Sequence, residues 1–360
     1  MSNILNKLTF KKSYVTVPAT ALALAISAQA MADVTVYGRA HVSTDYLDDG
    51  KDYSEVNFSS NSSRLGFKGE HEVNPKLKAF FQIEQTINFT TGSNGDKDFA
   101  TRDTFGGLSV YFGAVQMGRF DSPFKIARGP ANLFGDQLGD MRNLTRVGDG
   151  RFDERYDNTL QYPTPSFSGL KVALAYSTYE GEYIETDESN KNSEAISVAL
   201  NYSNGPFAAA LAYEAGSKNQ DKGKRNGLRL AGSYKVLDDL KLVAFYQNVD
   251  YKKGTKDIRD TNSSDTYGLG GEYQIGKNTA LKAMWMLRES DADQNDASMY
   301  VIGAEHKLSK QVRIYANYAM VDNDKKSNLT PWGQGRSVDK PGDATAEQAQ
   351  GVSVGLRYDF

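Results

Sequence analysis

The chain ends in Gly351-Val352-Ser353-Val354-Gly355-Leu356-Arg357-Tyr358-Asp359-Phe360. Apolar side chains occupy every second position of this stretch up to the last residue, and small, polar or charged residues lie between them. A period of two places the two sets on opposite faces of a β-strand. The same alternation recurs along nearly the whole chain, with many Tyr and Phe on the apolar side. The pattern predicts an all-β fold, a barrel with lipid outside and water inside.

Sixteen alternating segments are predicted, and the first runs from Val34 to Tyr46. Some connections are short turns such as Asn74-Pro75, with residues suited to tight reversals. The others are long and polar, and they cover about residues 47–61, 90–101, 121–154, 180–193, 216–226, 252–265, 289–297 and 322–348. Short turns at one end and long loops at the other are typical of a bacterial outer-membrane barrel. We therefore expect a 16-stranded antiparallel transmembrane β-barrel.

The first 32 residues differ from the rest of the chain. Lys7, Lys11 and Lys12 precede a short apolar run, and Ala30-Met31-Ala32 has the small-x-small form of a cleavage site. These features are typical of a secretory signal peptide. The apolar run is too short for a membrane-spanning helix, which needs about 20 residues. We expect a signal peptide over residues 1–32, cleaved after Ala32, and one barrel domain over residues 33–360.

Composition narrows the classes of function. The chain has no cysteine, so disulfides and thiolate metal sites are excluded. Its net charge of -3 becomes more negative without the three signal lysines, which gives no support to nucleic-acid binding. The mean hydropathy of -0.56 resembles that of a soluble protein. Transmembrane strands, however, need an apolar residue only at every second position.

Four stretches resemble the general porins of Gram-negative outer membranes, and they are Val36-Tyr37-Gly38-Arg39-Ala40, Arg64-Leu65-Gly66-Phe67-Lys68-Gly69-Glu70, Phe112-Gly113-Ala114-Val115-Gln116-Met117-Gly118-Arg119-Phe120 and Leu356-Arg357-Tyr358-Asp359-Phe360. The resemblance spans the mature chain. It implies a homotrimer of barrels that lets ions and small hydrophilic solutes diffuse passively through a water-filled channel. The implied partners are outer-membrane lipids and lipopolysaccharide, the barrel-assembly machinery, which reads a C-terminal Phe such as Phe360, and periplasmic chaperones.

The loop at about residues 121–154 is the longest connection. In general porins the third loop folds into the lumen and narrows it, and the resemblance implies the same role here. Leu133-Phe134-Gly135-Asp136 is similar to the family's loop-tip sequence, although Leu133 replaces an acidic residue often found there. A long loop within a compact fold also needs a functional reason, which pore narrowing supplies. We expect Asp136 and Asp140 to be the acidic groups of the constriction.

Basic groups should face these acids across the lumen. Strand alternation places Arg39 and Arg64 on the lumen face, with Lys78 as a further candidate, and the resemblance implies Arg39, Arg64 and Arg102. Arg151 is an additional candidate within the loop. Opposite charges across a narrow passage create a field that orients solutes and separates ions.

Arg102 does not fit simple alternation. It shares its phase with Leu108 and Val110, which should face outward. A bulge at Gly106-Gly107 would reset the phase, turning Arg102 inward and Phe105 outward.

Arg119 shares the phase of Val115 and Met117 and should therefore face outward. An arginine at mid-strand is costly against lipid. Either Arg119 lies near the external rim, or another subunit covers it and a carboxylate pairs with it. The resemblance favours a subunit interface.

Two other functions remain open, a substrate-selective porin for sugars or phosphate, and an adhesive or structural outer-membrane barrel. An aromatic track in the lumen would favour sugars, and a dense Lys/Arg ladder would favour phosphate. An enzyme is not expected, because the chain has three histidines and no nucleophile-elbow pattern. No cofactor or metal site is expected. Asp291-x-Asp293-x-Asn295 starts like a calcium loop, but Asp296 and Ile302 replace the required Gly and Glu.

Overall fold

A computed structural model describes residues 33–92, 99–179, 194–217, 224–338 and 342–360. The predicted signal peptide and the predicted loop at residues 180–193 lie outside the described residues. Within the described ranges the chain forms seventeen strands, which are β1 (Asp33–Asp48), β2 (Ser54–Ser60), β3 (Arg64–Asn74), β4 (Leu77–Thr86), β5 (Thr104–Val110), β6 (Gly113–Asp121), β7 (Arg155–Pro163), β8 (Leu170–Tyr179), β9 (Glu194–Asn204), β10 (Phe207–Ser217), β11 (Arg225–Lys235), β12 (Leu240–Tyr251), β13 (Ser264–Ile275), β14 (Thr279–Ser290), β15 (Ala297–Lys307), β16 (Val312–Asn323) and β17 (Gln348–Asp359). The helical segments are α1 (Pro123–Ile126), α2 (Arg142–Thr145), α3 (Lys256–Asn262) and a 3-10 turn at Gly129–Ala131.

The strands close into one antiparallel barrel. Each pairs with its successor from β3 to β17, and β17 pairs with β1 over ten residue pairs from Arg39↔Asp359 to Asp48↔Gln350. β1 pairs with β2 along its second half and with β3 along its first half. β2 and β3 are therefore two parts of one barrel strand, interrupted at residues 61–63. The predicted 16-stranded antiparallel barrel is confirmed.

Side-chain groups replace the missing ladder at that interruption. The backbone N–H of His41 donates to Ser63 Oγ at 2.9 Å, and the carbonyl of His41 accepts from the backbone N–H of Asn61 at 2.7 Å. The break therefore leaves no unpaired backbone at His41, which satisfies the requirement for strands within a membrane.

Exposure follows the predicted alternation. In β17, Val352, Val354 and Leu356 are exposed, whereas Ser353 and Gly355 between them are buried. In β1, Val34 and Val36 are exposed and Arg39 and His41 face inward, as the period of two predicted. The exposed apolar face is the one that meets lipid, because a barrel places its other face in the lumen.

The long connections differ in extent from the sequence prediction. The first loop was expected over residues 47–61, but Ser54–Ser60 form β2, which leaves only residues 49–53 between strands. The loop expected at residues 252–265 contains α3. A segment of polar composition can still form a strand or a helix, because the connection itself occupies only some of its residues. Among the described residues, no helix is long and apolar enough to cross a membrane.

Candidate pore constriction

The third loop, residues 122–154 between β6 and β7, begins with a capped helical turn. Ser122 accepts a hydrogen bond on its hydroxyl from the backbone N–H of Lys125 at 3.2 Å, and Pro123 occupies the first turn. Both features favour a helix start. The backbone N–H of Phe124 then donates to Ser197 Oγ of β9 at 3.0 Å. The loop therefore contacts β9 immediately after β6.

Arg229 of β11 fixes both ends of this loop. Its Nη1 donates to the carbonyl of Phe124 at 2.8 Å, and its Nη2 donates to Asp153 Oδ2 at 3.1 Å. Its guanidinium carbon also lies 4.1 Å from the centre of the Phe124 ring. Arg229 and Asp153 are fully buried, and Arg229 with Arg128 holds the pKa of Asp153 at about 2 although burial opposes its ionisation. A buried bidentate pair of this kind fixes geometry strongly.

The middle of the loop packs against an apolar part of the inner wall. Phe134 and Leu138 belong to one buried cluster with Val243 of β12, Met284 of β14 and Val301 of β15. Gln137 adds a polar contact, because its Oε1 accepts a hydrogen bond from Asn317 Nδ2 of β16 at 2.8 Å. The loop thus packs against side chains of β12, β14, β15 and β16.

The two predicted acids have different surroundings. Asp136 lies 3.4 Å from Arg39 Nη1 on the wall and accepts a hydrogen bond from Arg142 Nη2 at 2.7 Å. Asp140 is fully buried and accepts from Arg142 Nε at 3.0 Å and from Nη2 at 2.7 Å. Burial opposes the ionisation of Asp136, but Arg142 and Arg39 hold its pKa well below the usual range. Asp136 therefore presents a charge toward the wall, whereas Asp140 braces the loop.

Three predicted arginines lie on one sector of the wall. Arg39 of β1 and Arg64 of β3 are register partners, and both face inward. Arg64 and Arg102 share the carboxylate of Glu84 in β4, with the Nε of Arg64 3.4 Å from Glu84 Oε2 and that of Arg102 2.5 Å from Glu84 Oε1. Tyr37 donates to the same carboxylate at 3.1 Å. We call Arg39, Arg64, Arg102 and Glu84 the basic sector.

The predicted bulge near Arg102 is wrong. β5 pairs without a register shift through Gly106↔Phe81 and Gly107↔Phe80. Phe105 points inward, where its ring contacts those of Phe80 and Phe120. Arg102 reaches Glu84 because it precedes β5 and is therefore not bound by that strand's alternation.

The other two basic candidates have other partners. Lys78 lies near the short-turn end of β4, is about half exposed and pairs with Glu70 at 2.5 Å. Arg151 lies at the end of the third loop, is also largely exposed and pairs with Glu154 at 3.3 Å. The structure thus groups Arg39, Arg64 and Arg102 together and gives Lys78 and Arg151 separate acidic partners.

Arg119 lies on the outward face in phase with Met117, as predicted. It pairs with the carboxylate of Asp157 in β7, and its Nε donates to the carbonyl of Thr101 at 3.3 Å. A register shift between Gly118 and Phe120 marks the point where β6 bends toward the third loop. The required carboxylate is therefore supplied by the same chain.

A second charged group at the start of the third loop was missed from the sequence. Lys125 lies 2.9 Å from Asp121 Oδ1, and Arg155 Nη2 lies 2.6 Å from the same oxygen. Burial, together with Arg155 and Arg128, lowers the pKa of Lys125 to about 8, although Asp121 opposes this shift. The spacing of Asp121 and Lys125 by four residues was the available signal, because such pairs meet on a helical turn.

The last loop, residues 324–347, also contacts the third loop. The backbone N–H of Gly139 donates to the carbonyl of Pro331 at 2.8 Å, and that of Gln334 donates to Asn143 Oδ1 at 3.0 Å. Trp332 is fully buried in the same cluster as Leu138. A tryptophan within an otherwise polar loop was the signal in the sequence, since large aromatic side chains are rarely left in water.

The comparisons with known proteins agree with this fold. A family model described as Gram-negative porin matches residues 19–326. The chain belongs to the Gram-negative porin family. Outer membrane porin protein 32 of Delftia acidovorans is 30% identical over 354 residues, covering 94% of this chain and 97% of that protein. The family model covers β1 to β16 and the third loop.

Solved porin structures match the fold. The anion-selective porin from Comamonas acidovorans superposes with a TM-score of 0.76 at 25% identity, covering 92% of this porin and all of that chain. The trimer form of OmpT, an outer-membrane protein of Vibrio cholerae, superposes with a TM-score of 0.63 at 18% identity, covering 91% of this porin and 99% of that chain.

This porin is therefore an outer-membrane channel for ions and small hydrophilic solutes. The alternatives of a sugar- or phosphate-selective porin and of an adhesive barrel are not favoured by the comparisons. The family consists of channels rather than enzymes. Among the described residues, no group of three or more His, Asp or Glu side chains has an arrangement that would hold a metal ion.

Proposed function

We propose that the third loop narrows the lumen and that solutes pass alongside Asp136 of the loop and the basic sector of the wall, which are held together by the contact of Asp136 with Arg39. The contacts of Phe124, Gln137 and Asp153 with inward-facing side chains of β9, β11 and β16 support this role. A loop held at both ends and in its middle cannot swing freely, so the width of the passage would be a fixed property of the fold. Passage would be driven only by the solute gradient.

We further propose a preference for anions. The observation that carries this proposal is the sharing of carboxylates along the wall. Glu84 serves both Arg64 and Arg102, and Asp359 serves Arg39 and Arg357 with Arg313 at 3.7 Å. Where each carboxylate serves two or more guanidinium groups, the wall keeps a net positive charge, which attracts anions into the passage. The related porin named above as anion-selective has the same fold.

Planar-bilayer recording under a KCl gradient tests both proposals. We expect stepwise current and a reversal potential that favours chloride. Arg102→Gln should move the reversal potential toward potassium, because it removes a charge from the basic sector. Lys310→Gln removes the same charge from a short turn and is the matched control, so it should leave the potential unchanged. A potassium-selective wild type would refute the anion preference. Insertion without current would support the adhesive alternative.

Trimer formation, cleavage after Ala32 and recognition of Phe360 by the assembly machinery complete the proposal. The trimer form of the Vibrio relative supports the first of these. Phe360 supports the third, because its ring lies exposed on the outer face and its backbone pairs with Gly38 through hydrogen bonds of 2.9 and 3.1 Å. Lipids, lipopolysaccharide and periplasmic chaperones would be the further partners during and after assembly.

A further inference from the structure

Arg336 of the last loop enters the barrel beside β1. Its side chain is fully buried, and its Nη2 contacts Asp45 Oδ2 and lies 3.4 Å from Ser59 Oγ. The backbone of the neighbouring Ser337 pairs with that of Ser60 at 3.1 Å, and Ser337 Oγ accepts from the Ser60 N–H at 2.8 Å. These contacts hold the arginine against the inner wall at the interruption between β2 and β3.

A hydrogen-bond network surrounds this arginine. Asp45 Oδ2 accepts from Ser43 Oγ at 3.2 Å and from Ser59 Oγ at 2.6 Å. Asn61 Nδ2 donates to Ser43 Oγ at 2.8 Å and lies 3.3 Å from the hydroxyl of Tyr315. His41 and Ser353 also belong to this network. The Nε2 of His41 lies 2.9 Å from the Tyr315 hydroxyl, and Ser353 is the register partner of Asp45 on β17. His41, Asp45, Asn61 and Ser353 are all fully buried.

The network leaves several of its polar atoms unpaired. Asp45 Oδ2 has three partners, whereas its Oδ1 has none among the described residues. The same holds, within the described part of the chain, for His41 Nδ1, Asn61 Oδ1, Ser353 Oγ and the Nε and Nη1 of Arg336. Buried polar atoms nearly always have a partner, because an unpaired one loses its hydration without compensation. Six unpaired atoms in one network therefore indicate an occupant that supplies partners.

We infer that ordered water molecules are a permanent part of the contact between the last loop and the wall. Arg336 and Asp45 cancel in charge, so no ion is needed for neutrality. The unpaired atoms include N–H donors on Arg336 and oxygen acceptors on Asp45 and Asn61. An uncharged molecule that both donates and accepts hydrogen bonds can pair with these donors and acceptors. Buried water typically makes about three hydrogen bonds. The last loop is thus seated on the wall through bound water as well as direct contacts.

Replacing Ser353 with alanine tests this inference through the sign of its effect. If water bonds to the Ser353 hydroxyl, Ser353→Ala removes one of its partners and lowers the temperature at which the folded barrel unfolds by about 2 °C. If the hydroxyl is dry and unpaired, its removal relieves a cost and leaves the temperature unchanged or raised. That result would overturn the inference. Ser197→Ala is the control for a paired hydroxyl, because Ser197 Oγ accepts from Phe124, and it should destabilise in either case.

Crystals of the full-length mature protein identify the occupant directly. We expect density for water bonded to Arg336, Asp45 and Ser353 in every protomer. Crystals grown in bromide should show no anomalous peak there. A bromide peak would mean that the occupant is an anion and would overturn the assignment to water, as would a pocket with no density at all.

Discussion

Asp136 is the acidic residue whose charge faces the basic sector. Its carboxylate lies 3.4 Å from Arg39 Nη1 and 2.7 Å from Arg142 Nη2. Asp136→Asn keeps the shape and removes the charge, so the passage becomes more positive. One unit charge a few ångströms away in water contributes about 1 kcal/mol, so we expect the chloride-to-potassium permeability ratio to rise ~2- to 5-fold. Reversal potentials measure this ratio. Asp293→Asn, on an outer loop, is the control that should leave it unchanged.

Lys125 predicts a pH dependence of the same ratio. Its pKa is about 8, below the ordinary 10.5, because of burial and the nearby Arg155 and Arg128, with Asp121 opposing them. Lys125 is charged below pH 8 and neutral above it, so the anion preference should weaken between pH 7 and pH 9. The folded state binds this proton less tightly than the unfolded chain, so stability from this group rises between pH 8 and 10.5.

Lys125→Met separates this effect from other titrations. At pH 7 the variant should already show the weaker anion preference that the wild type shows at pH 9. Its reversal potential should not change as the pH passes through 8. A step that persists in Lys125→Met would assign the titration to another group.

At the scale of elements, the third loop depends on one arginine. Arg229 contacts the loop at Phe124 and at Asp153, and both members of the ion pair are fully buried. Arg229→Met leaves Asp153 with Arg128 at 3.3 Å as its remaining cation. Removing one partner of a buried pair costs about 3–5 kcal/mol, and we expect that cost to appear as a loosened loop. Single channels should then show larger and more variable conductance.

The double variant Arg229→Met with Asp153→Asn is the control. It removes the buried charge together with its partner, so most of the stability should return while the loop stays less firmly held. Equal conductance noise in the wild type and Arg229→Met would contradict the anchoring role.

The strands could be predicted from the sequence because lipid and water impose a period of two on each of them. This rule alone predicts the inward orientation that Arg39 has in the structure. The rule fails where a residue precedes a strand, as Arg102 does, and where both faces are buried. Leu242-Val243-Ala244-Phe245 is apolar without interruption because lipid covers one face and the third loop covers the other. Such continuous apolar runs are the sequence signal of two-sided burial.

The pairing of charges could not be predicted. Length and the resemblance of Leu133-Phe134-Gly135-Asp136 to the family's loop tip identify the third loop, but Arg229 meets Phe124 and Asp153 only in the folded barrel. Asp140 was expected to face the lumen, and its bidentate contact with Arg142 instead depends on the backbone conformation of the loop. Sequence separation carries no information on contacts that join residues of distant strands and loops.

At the scale of the whole molecule, Arg119 predicts the stability of the trimer. It lies on the outer face and pairs with Asp157 of its own chain. An exposed ion pair contributes about 0–1 kcal/mol, whereas removing one partner of a pair that a neighbouring subunit covers costs about 3–5 kcal/mol because the other charge is left buried. We expect Arg119→Gln to lower the temperature at which trimers convert to monomers. This temperature is measured by heating samples in steps and separating them on gels that preserve the trimer.

The matched comparison is the unfolding of the monomeric barrel itself. If Arg119 acts at a subunit interface, the monomer should unfold at its usual temperature. If only the pair with Asp157 matters, Arg119→Gln and Asp157→Asn should lower the unfolding temperature of the monomer equally. The temperature of trimer conversion should then fall by the same amount as the unfolding temperature of the monomer.

The pairing of Phe360 with Gly38 places the C-terminus beside the first strand of the barrel, so that the mature chain proposed above could begin and end at another turn. Asp33 lies five residues beyond Gly38 along β1, about 17 Å in extended chain. A flexible linker of roughly eight residues would span that distance. New ends opened at the exposed turn of residues 205–206 would lie on the same side of the membrane as the natural ones. A circularly permuted porin of this kind should refold into the same barrel and conduct in planar bilayers, but it should assemble poorly in cells because Phe360 is no longer at the C-terminus.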